Sequence, residues 1–351
     1  MSEMEFEVFK KGQEIKEKLD ATVEVIYDDE VANALKAIDA KDLSKDLKKR
    51  FSEKLRDFKE LKKTEHHKNI QIQQENGTYV SILILRKGIK AYEMQVAIRK
   101  ALLDIAKESK NIFLNLESVS KAHQESFVDY FSTLSKTSEW KSPAYGKKAK
   151  DNGDKKTVKR KTYVQSQLKD QDLKTAADKG RILGEANNLV RTLAVTPSNI
   201  LNPEKYQQIL QERAQKGKYI YRFIDTEKLG KMGAGAFLAV LSADPKSQGG
   251  IAHISYKPKN KATGKICIVG KGLCFDTGGY NVKTSHMYSM HRDMTGSAVA
   301  LALFEALIQL QLPYEIHGML AIAENYISPT GYKPNDVVLA MNGTSIEVVD
   351  T

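Results

Sequence analysis

The chain has 351 residues, of which 41% are hydrophobic, 8% aromatic and 28% charged, and its formal net charge is +11. This composition is too apolar for a disordered protein, and no apolar run approaches the ~18 residues of a membrane helix, so no membrane partner is expected. The length favours two domains. The two cysteines cannot form a disulfide framework and no secretion signal is visible, so we expect a cytoplasmic protein.

Most of the net positive charge lies in one short stretch, residues 141–161. Residues 1–140 hold 25 basic and 25 acidic side chains, whereas residues 141–161 hold nine basic and two acidic ones. A polar stretch with this charge is typical of a solvated linker. Nucleic-acid binding is the alternative, but only Tyr145 lies between the basic residues, so a base-stacking platform is not indicated. We therefore predict a basic linker or loop at 141–161 and expect no nucleic-acid partner.

Residues 1–140 are predicted to form a small α/β domain. The predicted elements, in chain order, are a strand at 22–27, a strand at 79–85, a helix at 92–106 and a strand at 111–116. Alternation of this kind packs helices against a sheet. No catalytic constellation is recognisable in this part of the sequence.

Residues 162–351 are predicted to form a second α/β domain. Its predicted elements are a helix at 173–195, a strand at 265–269, a buried helix at 297–310, a strand at 316–323 and a hairpin of 337–341 with 344–349. Between the hairpin strands, Asn342 and Gly343 predict a type I′ turn, which requires positive φ at both positions.

The segment 268–296, IVGKGLCFDTGGYNVKTSHMYSMHRDMTG, is the most informative part of the chain. Three common motifs do not fit it. Phe275 stands where the third glycine of a dinucleotide-binding fingerprint belongs. The phosphate-binding string G-x-x-x-x-G-K-[ST] and the zinc-protease string H-E-x-x-H are both absent from the chain.

Two carboxylates and two lysines remain, which are Asp276, Asp293, Lys271 and Lys283, on predicted turns beside a buried strand. Carboxylates flanked by glycines can hold a divalent cation. A lysine in an apolar turn beside a cation is disfavoured as an ammonium by desolvation and repulsion, and it could act as a neutral amine ligand. The other lysine, if charged, could polarise a carbonyl oxygen. The residues alone fit ordinary surface charges around a structural turn at least as well.

The strings VGKGLCFDTGGYNVK (269–283) and MHRDMTGSA (290–298) resemble the signature of the leucyl (cytosol) aminopeptidase family. Three more segments resemble the family in the same order, namely NLVRTLAVTPSNILNPEKY (188–206), MGAGAFLAV (232–240) and LAIAENYISPTGYKPNDVV (320–338). A match in several parts is more specific than one short motif. The resemblance covers roughly residues 162–351 and implies an α/β/α catalytic domain with a mixed sheet, of the zinc-peptidase type.

The resemblance implies a role for each matched residue. Lys271 would be a neutral amine ligand of one metal ion, Asp276 would bridge two ions, and Asp293 would complete the ligands of the first. Lys283 would stay charged and bind the bridging water or the peptide carbonyl oxygen. Met290 would line the pocket for the first side chain of the substrate, with a plain core methionine as the alternative.

The implied reaction is the release of leucine-like N-terminal residues from peptides. Two divalent ions, Zn²⁺ or Mn²⁺, would lower the pKa of a shared water and bind the free amine of the substrate. Membership of the family also implies a homo-oligomer, a hexamer. A non-catalytic paralogue or a binding protein of the same fold is the alternative function.

Two features depart from the family pattern. Lys283 and Asp293 are ten residues apart, one fewer than usual, and the deletion falls within 284–289. In the family, the strand at 346–351 is followed by an Asp-Ala-Glu-Gly-Arg motif with further metal ligands, and this chain ends before it. With only Asp276 left for the second ion, we expect the 351 residues alone to be inactive or nearly so and poorly stable. We favour an incomplete sequence over a natural short form.

Overall fold

A computed structural model describes residues 4–9, 13, 15–28, 49–50, 53, 65–73, 77–146, 160–244, 246 and 248–349. The chain divides into two compact units, Met1–Trp140 with Gly146–Glu185 and Lys141–Tyr145 with Ala186–Thr351. Most of the basic stretch at 141–161 falls outside the described residues. No helix within the described ranges combines the length and the apolar character needed to span a membrane.

The first unit is built on a six-stranded sheet. Its strands are β1 (Met4–Val8), β2 (Ala21–Tyr27), β3 (His67–Gln73), β4 (Tyr79–Leu85), β5 (Asn111–Asn115) and β6 (Arg160–Gln165), in the spatial order β1-β6-β5-β2-β4-β3. Only β3 is antiparallel to its neighbour within this sheet. Parallel strands need crossover connections, and α1 (Ala91–Glu108) lies in the connection from β4 to β5, while α2 (Lys121–Ser138) lies in that from β5 to β6.

The small α/β domain predicted from the sequence is confirmed. The predicted strands and helix correspond to β2, β4, α1 and β5, and the apolar faces of α1 and α2 are buried in one core. Three strands, β1, β3 and β6, were not predicted, because none of them contains more than two consecutive apolar residues. The start of β6, at Arg160, lies inside the stretch predicted as a linker, and the predicted domain boundary at residue 162 falls within the same strand.

The second unit contains a four-stranded mixed sheet in the order β7-β8-β10-β9. Its strands are β7 (Ile220–Ile224), β8 (Gly250–Tyr256), β9 (Gly264–Asp276) and β10 (Tyr314–Asn325). The strand β10 runs parallel to β9 and antiparallel to β8. The other elements are α3 (Asp170–Val195, shared with the first unit), α4 (Pro203–Gly217), α5 (Thr226–Lys231), α6 (Gly235–Leu241), a 3₁₀ helix at Met287–Arg292, α7 (Thr295–Gln309), and the hairpin of β11 (Val337–Leu339) with β12 (Ser345–Glu347).

Helices cover both faces of this mixed sheet, as predicted. On one face α7 is buried, and Leu301 and Phe304 share a core with Leu320 of β10. On the opposite face, α5 and α6 pack against Ala323 of β10 through apolar side chains that include Leu229. The predicted buried helix is therefore confirmed as α7, and the predicted strand at 316–323 is the middle of β10.

The strand β9 is longer than the sequence predicted. The predicted strand at 265–269 continues to Asp276, so the predicted turn at Lys271 is wrong, and Lys271 and its neighbours Gly270 and Gly272 are strand residues. A Cβ at Gly270 would lie 2.6 Å from Ser297 Cα, and a Cβ at Gly272 would lie 2.7 Å from the carbonyl oxygen of Ala321. These two glycines allow close packing against α7 and β10, which is a recognised use of glycine within a strand.

The predicted hairpin is confirmed, but the prediction of a type I′ turn is wrong. Gly343 N donates to Ala340 O at 2.9 Å, and Ala340 N donates to Thr344 O at 2.9 Å, which closes a three-residue loop. Gly343 has φ +82°, whereas Asn342 is not in the positive-φ region. This geometry is a type I turn followed by a left-handed glycine, the usual form of a three-residue hairpin loop.

Candidate metal centre

A β-bulge near the end of β9 brings two of the predicted ligands to one face of the sheet. Lys271 and Asp276 are five residues apart, so strict alternation would place their side chains on opposite faces. Between Leu273 and Asp276, however, β9 advances three residues while β10 advances two, from Ala323 to Asn325. The extra residue returns Asp276 to the face of β9 that carries Lys271.

The carboxylate of Asp276 is buried and held by three donors. Its Oδ1 accepts hydrogen bonds from Gly278 N and from Asn325 Nδ2, both at 3.0 Å, and its Oδ2 lies 3.1 Å from Lys283 Nζ. Burial raises the pKa of Asp276, but the three donors together outweigh burial and hold that pKa below its ordinary value. Asp276 is therefore ionised at neutral pH.

A tight turn after Asp276 returns the chain to it at Lys283. Lys283 N donates to Thr277 O at 2.9 Å. Gly278 and Gly279 have φ values of +83° and +57°, and a Cβ at Gly278 would lie 2.4 Å from a backbone oxygen. Here glycine is required by the left-handed backbone. The predicted glycine-rich turn therefore exists, but it begins after Asp276.

The second ion pair joins Lys271 to Asp293. Their Nζ and Oδ2 atoms are 3.0 Å apart. Asp293 directly follows the 3₁₀ helix, and its backbone N donates to Met290 O at 3.2 Å. The side chain of Lys271 is 58% exposed, so the desolvation predicted for a lysine in an apolar turn is not present.

These side chains fit a divalent cation. Asp293 Oδ2 is buried and makes no hydrogen bond within the described part of the chain, and its partner there is the positive charge of Lys271 at 3.0 Å. A buried carboxylate oxygen that faces a positive charge and lacks a hydrogen bond is a position that a metal cation could take. Within the described residues, no three His, Cys, Asp or Glu side chains converge as metal ligands. A third protein ligand would therefore come from another residue type, and the amine of Lys271 lies 3.0 Å from Asp293.

Met290, Cys274 and Asn325 complete the surroundings. Met290 is half-buried on the 3₁₀ helix, and its contact with substrate stays a prediction. Cys274 is fully buried in the α7 core, where burial raises the pKa of its thiol, as expected for a packing residue. Asn325 was not predicted. Two signals in the sequence could have indicated it, namely its position just beyond the predicted strand at 316–323 and its place in the segment 320–338 that resembles the family.

Residues 188–351 match the model of the cytosol aminopeptidase family, catalytic domain. This part of the chain belongs to the cytosol aminopeptidase family. The matched region runs through β9, the 3₁₀ helix and α7, and all the predicted site residues lie on these elements or on the short segments that join them.

Curated relatives from three bacteria support the same membership. The probable cytosol aminopeptidase of Persephonella marina is 39% identical over 175 residues, which cover 49% of this chain and 34% of the relative. The probable cytosol aminopeptidase of a Sulfurihydrogenibium species is 39% identical over 173 residues, which cover 49% of this chain and 34% of the relative. The probable cytosol aminopeptidase of Aquifex aeolicus is 35% identical over 175 residues, which cover 49% of this chain and 35% of the relative. The chain thus spans about a third of the length of the curated relatives it matches.

The fold is also similar to that of a solved enzyme. The structure of the bottromycin maturation enzyme BotP in complex with Mn superposes with a TM-score of 0.69 at 20% sequence identity. The superposition covers 94% of this chain and 65% of BotP. At this identity the likeness concerns the fold.

Proposed function

We propose that this chain carries the metal centre of an aminopeptidase, which removes residues from the N-terminus of peptides. The β-bulge in β9 is the observation that carries the proposal, because it places Lys271 and Asp276 on one face, and Asp293 lies 3.0 Å from Lys271. Membership of the cytosol aminopeptidase family supports the class of reaction. The family also supports a cytosolic homo-oligomer, a hexamer, as part of the same proposal.

Three residues would hold the first cation, Mn²⁺ or Zn²⁺. Lys271, Asp276 and Asp293 would be its ligands, and Asp276 would be shared with a second cation. Bound cations would supply Lewis-acid activation of water and of the peptide carbonyl. Because the Lys271 side chain is exposed, the charge of the cation rather than burial would have to displace its proton.

Lys283 and Met290 would act on the substrate. The Lys283 ammonium lies beside Asp276 Oδ2, and its side chain remains 30% exposed, so a ligand can reach it from solvent. It would donate a hydrogen bond to the peptide carbonyl oxygen and stabilise the negative charge that develops there. Met290, three residues before Asp293, would contact the first side chain of the peptide.

Hydrolysis of leucine p-nitroanilide, with and without Mn²⁺, tests the proposal. We expect slow turnover, because the described residues offer a second cation only Asp276, and we expect that turnover to require Mn²⁺. Asp276→Asn should reduce it by at least about 100-fold, since it removes the charge of a shared ligand. Asp178→Asn, an exposed change in the first unit, is the control.

Two results would count against the proposal in different ways. Hydrolysis that survives both metal removal and Asp276→Asn would exclude a catalytic metal centre at this site. Tight Mn²⁺ binding without any hydrolysis would favour a non-catalytic relative of the same fold.

A further inference from the structure

Asn325 touches Asp276 and the turn that follows it. The backbone oxygen of Asn325 accepts hydrogen bonds from Thr277 N at 3.1 Å and from Thr277 Oγ1 at 2.7 Å. Its side-chain Nδ2 donates to Asp276 Oδ1 at 3.0 Å. A single residue of β10 therefore fixes both the backbone after Asp276 and the carboxylate itself.

The side-chain amide of Asn325 has only one satisfied end. Its nitrogen end faces Asp276, since Nδ2 donates to Asp276 Oδ1. The Oδ1 atom of Asn325 is then buried and has no partner among the described residues. Asn325 is 3% exposed, and a buried acceptor without a donor costs free energy. An apolar side chain of the same size would avoid that cost, so packing alone does not account for an asparagine here.

We propose that Asn325 is a positioning residue for the metal centre, an inference that rests on the proposed function. Two donors, Asn325 Nδ2 and Gly278 N, occupy Asp276 Oδ1 and prevent the carboxylate from rotating. The other oxygen of Asp276, Oδ2, is thereby kept facing the Lys283 ammonium, and a cation would bind on that side of the carboxylate. Partners of this kind that orient a metal ligand strongly influence metal affinity.

Binding of Mn²⁺ to the full chain, measured by titration calorimetry or by the electron paramagnetic resonance signal of free Mn²⁺, tests the role of Asn325. Asn325→Leu keeps the size of the side chain and removes the donor, and we expect its Mn²⁺ dissociation constant to rise about 10- to 100-fold. The melting temperature should change little, because the variant also removes the unsatisfied Oδ1.

Asn115→Leu is the matched control. Asn115 Nδ2 donates to Glu24 Oε1 at 3.3 Å, so this variant also removes an amide-to-carboxylate hydrogen bond, but in the first unit. It should leave the Mn²⁺ affinity unchanged. If Asn325→Leu does not fold, Asn325→Ser replaces it, because the shorter hydroxyl cannot span the distance to Asp276 and should also weaken binding.

The outcomes separate the two proposals. Equal Mn²⁺ affinity in the wild type and the Asn325 variant would overturn the positioning role and leave the metal centre standing. A wild-type chain that binds no Mn²⁺ would overturn both. Weaker binding in both the Asn325 and the Asn115 variants would show a general loss of structure and would also overturn the specific role of Asn325.

Discussion

Glycines near the candidate metal centre have two different physical purposes. Gly278 and Gly279 take positive φ in the turn that returns Lys283 to Asp276. Gly270 has no such conformation, and it is a glycine because α7 lies directly against the strand. A sequence shows the residue type but not which of these two reasons applies, and a turn was accordingly predicted beside Gly270.

Gly270→Ala should therefore destabilise the fold. Its new Cβ would lie 2.6 Å from Ser297 Cα and 2.8 Å from Ala300 Cβ, both on α7, so the helix has to move away from β9. Overpacking of this kind costs about 1–3 kcal/mol in the free energy of unfolding, measurable by urea denaturation. Gly264→Ala in the same strand is the control, because its Cβ would be 3.4 Å from the Tyr314 ring. Equal stability of the two variants would contradict the close approach of α7.

At the scale of elements, one polar cluster joins α7 to the segment around α4. Arg213 donates to Glu305 through Nε at 2.9 Å and through its terminal amino group, and Tyr219 OH donates to Glu305 Oε1 at 2.8 Å. Burial, followed by the charge of Glu305, raises the pKa of Tyr219, so its hydroxyl stays protonated and remains a donor. Since Asp293 directly precedes α7, this cluster also holds the helix that supports the metal centre.

Glu305→Ala should cost about 1.5–3 kcal/mol of unfolding free energy, because it removes hydrogen bonds to a charged group and leaves two donors without an acceptor. The control is Glu227→Ala, which breaks the exposed pair with Lys231 on α5. An exposed pair contributes about 0–1 kcal/mol. Denaturation curves of the two variants give the loss of unfolding free energy for the cluster and for the exposed pair. Similar losses would show that the cluster is no stronger than a surface ion pair.

The elements themselves were largely predictable. The segments that became β2, β4, α1 and α7 have a local apolar pattern that matches their final burial. Among the strands of the first unit that escaped prediction, β1 and β3 lie at the edges of their sheet, where polar residues are tolerated, whereas β6 lies between β1 and β5. A local apolar pattern predicts an element only where the fold buries the side chains that form this pattern.

For the whole molecule, a pair of histidines makes stability depend on pH. His253 Nε2 lies 2.9 Å from His317 Nδ1 across β8 and β10, and their rings are stacked. Burial lowers the pKa of His253, and the nearby charges of His317 and Arg222 lower it further. Burial also lowers the pKa of His67 in the first unit. Both shifts favour the neutral imidazole in the folded chain.

Stability should accordingly rise with pH in the weakly acidic range. Between the lowered pKa of folded His253 and the unfolded value of about 6.5, the unfolded chain binds more protons, so the free energy of unfolding increases with pH. This contribution is complete above about pH 6.5 and is lost as the pH falls through the folded-state pKa. His253→Gln should flatten the dependence in urea denaturation at a series of pH values. His286→Gln, at an exposed position, should leave the pH dependence unchanged. A wild-type free energy of unfolding that does not vary with pH in this range would contradict the lowered pKa of His253.

Residue types and local spacing were enough to predict the two α/β parts, the family of residues 188–351 and the side chains of the candidate site. A chain carries those features in any conformation. That Lys271 and Asp276 share a face, and that Asn325 holds Asp276, became visible only in the folded chain. Both follow from one extra residue in β9 opposite β10, and the register between two strands is set by long-range pairing rather than by either strand alone.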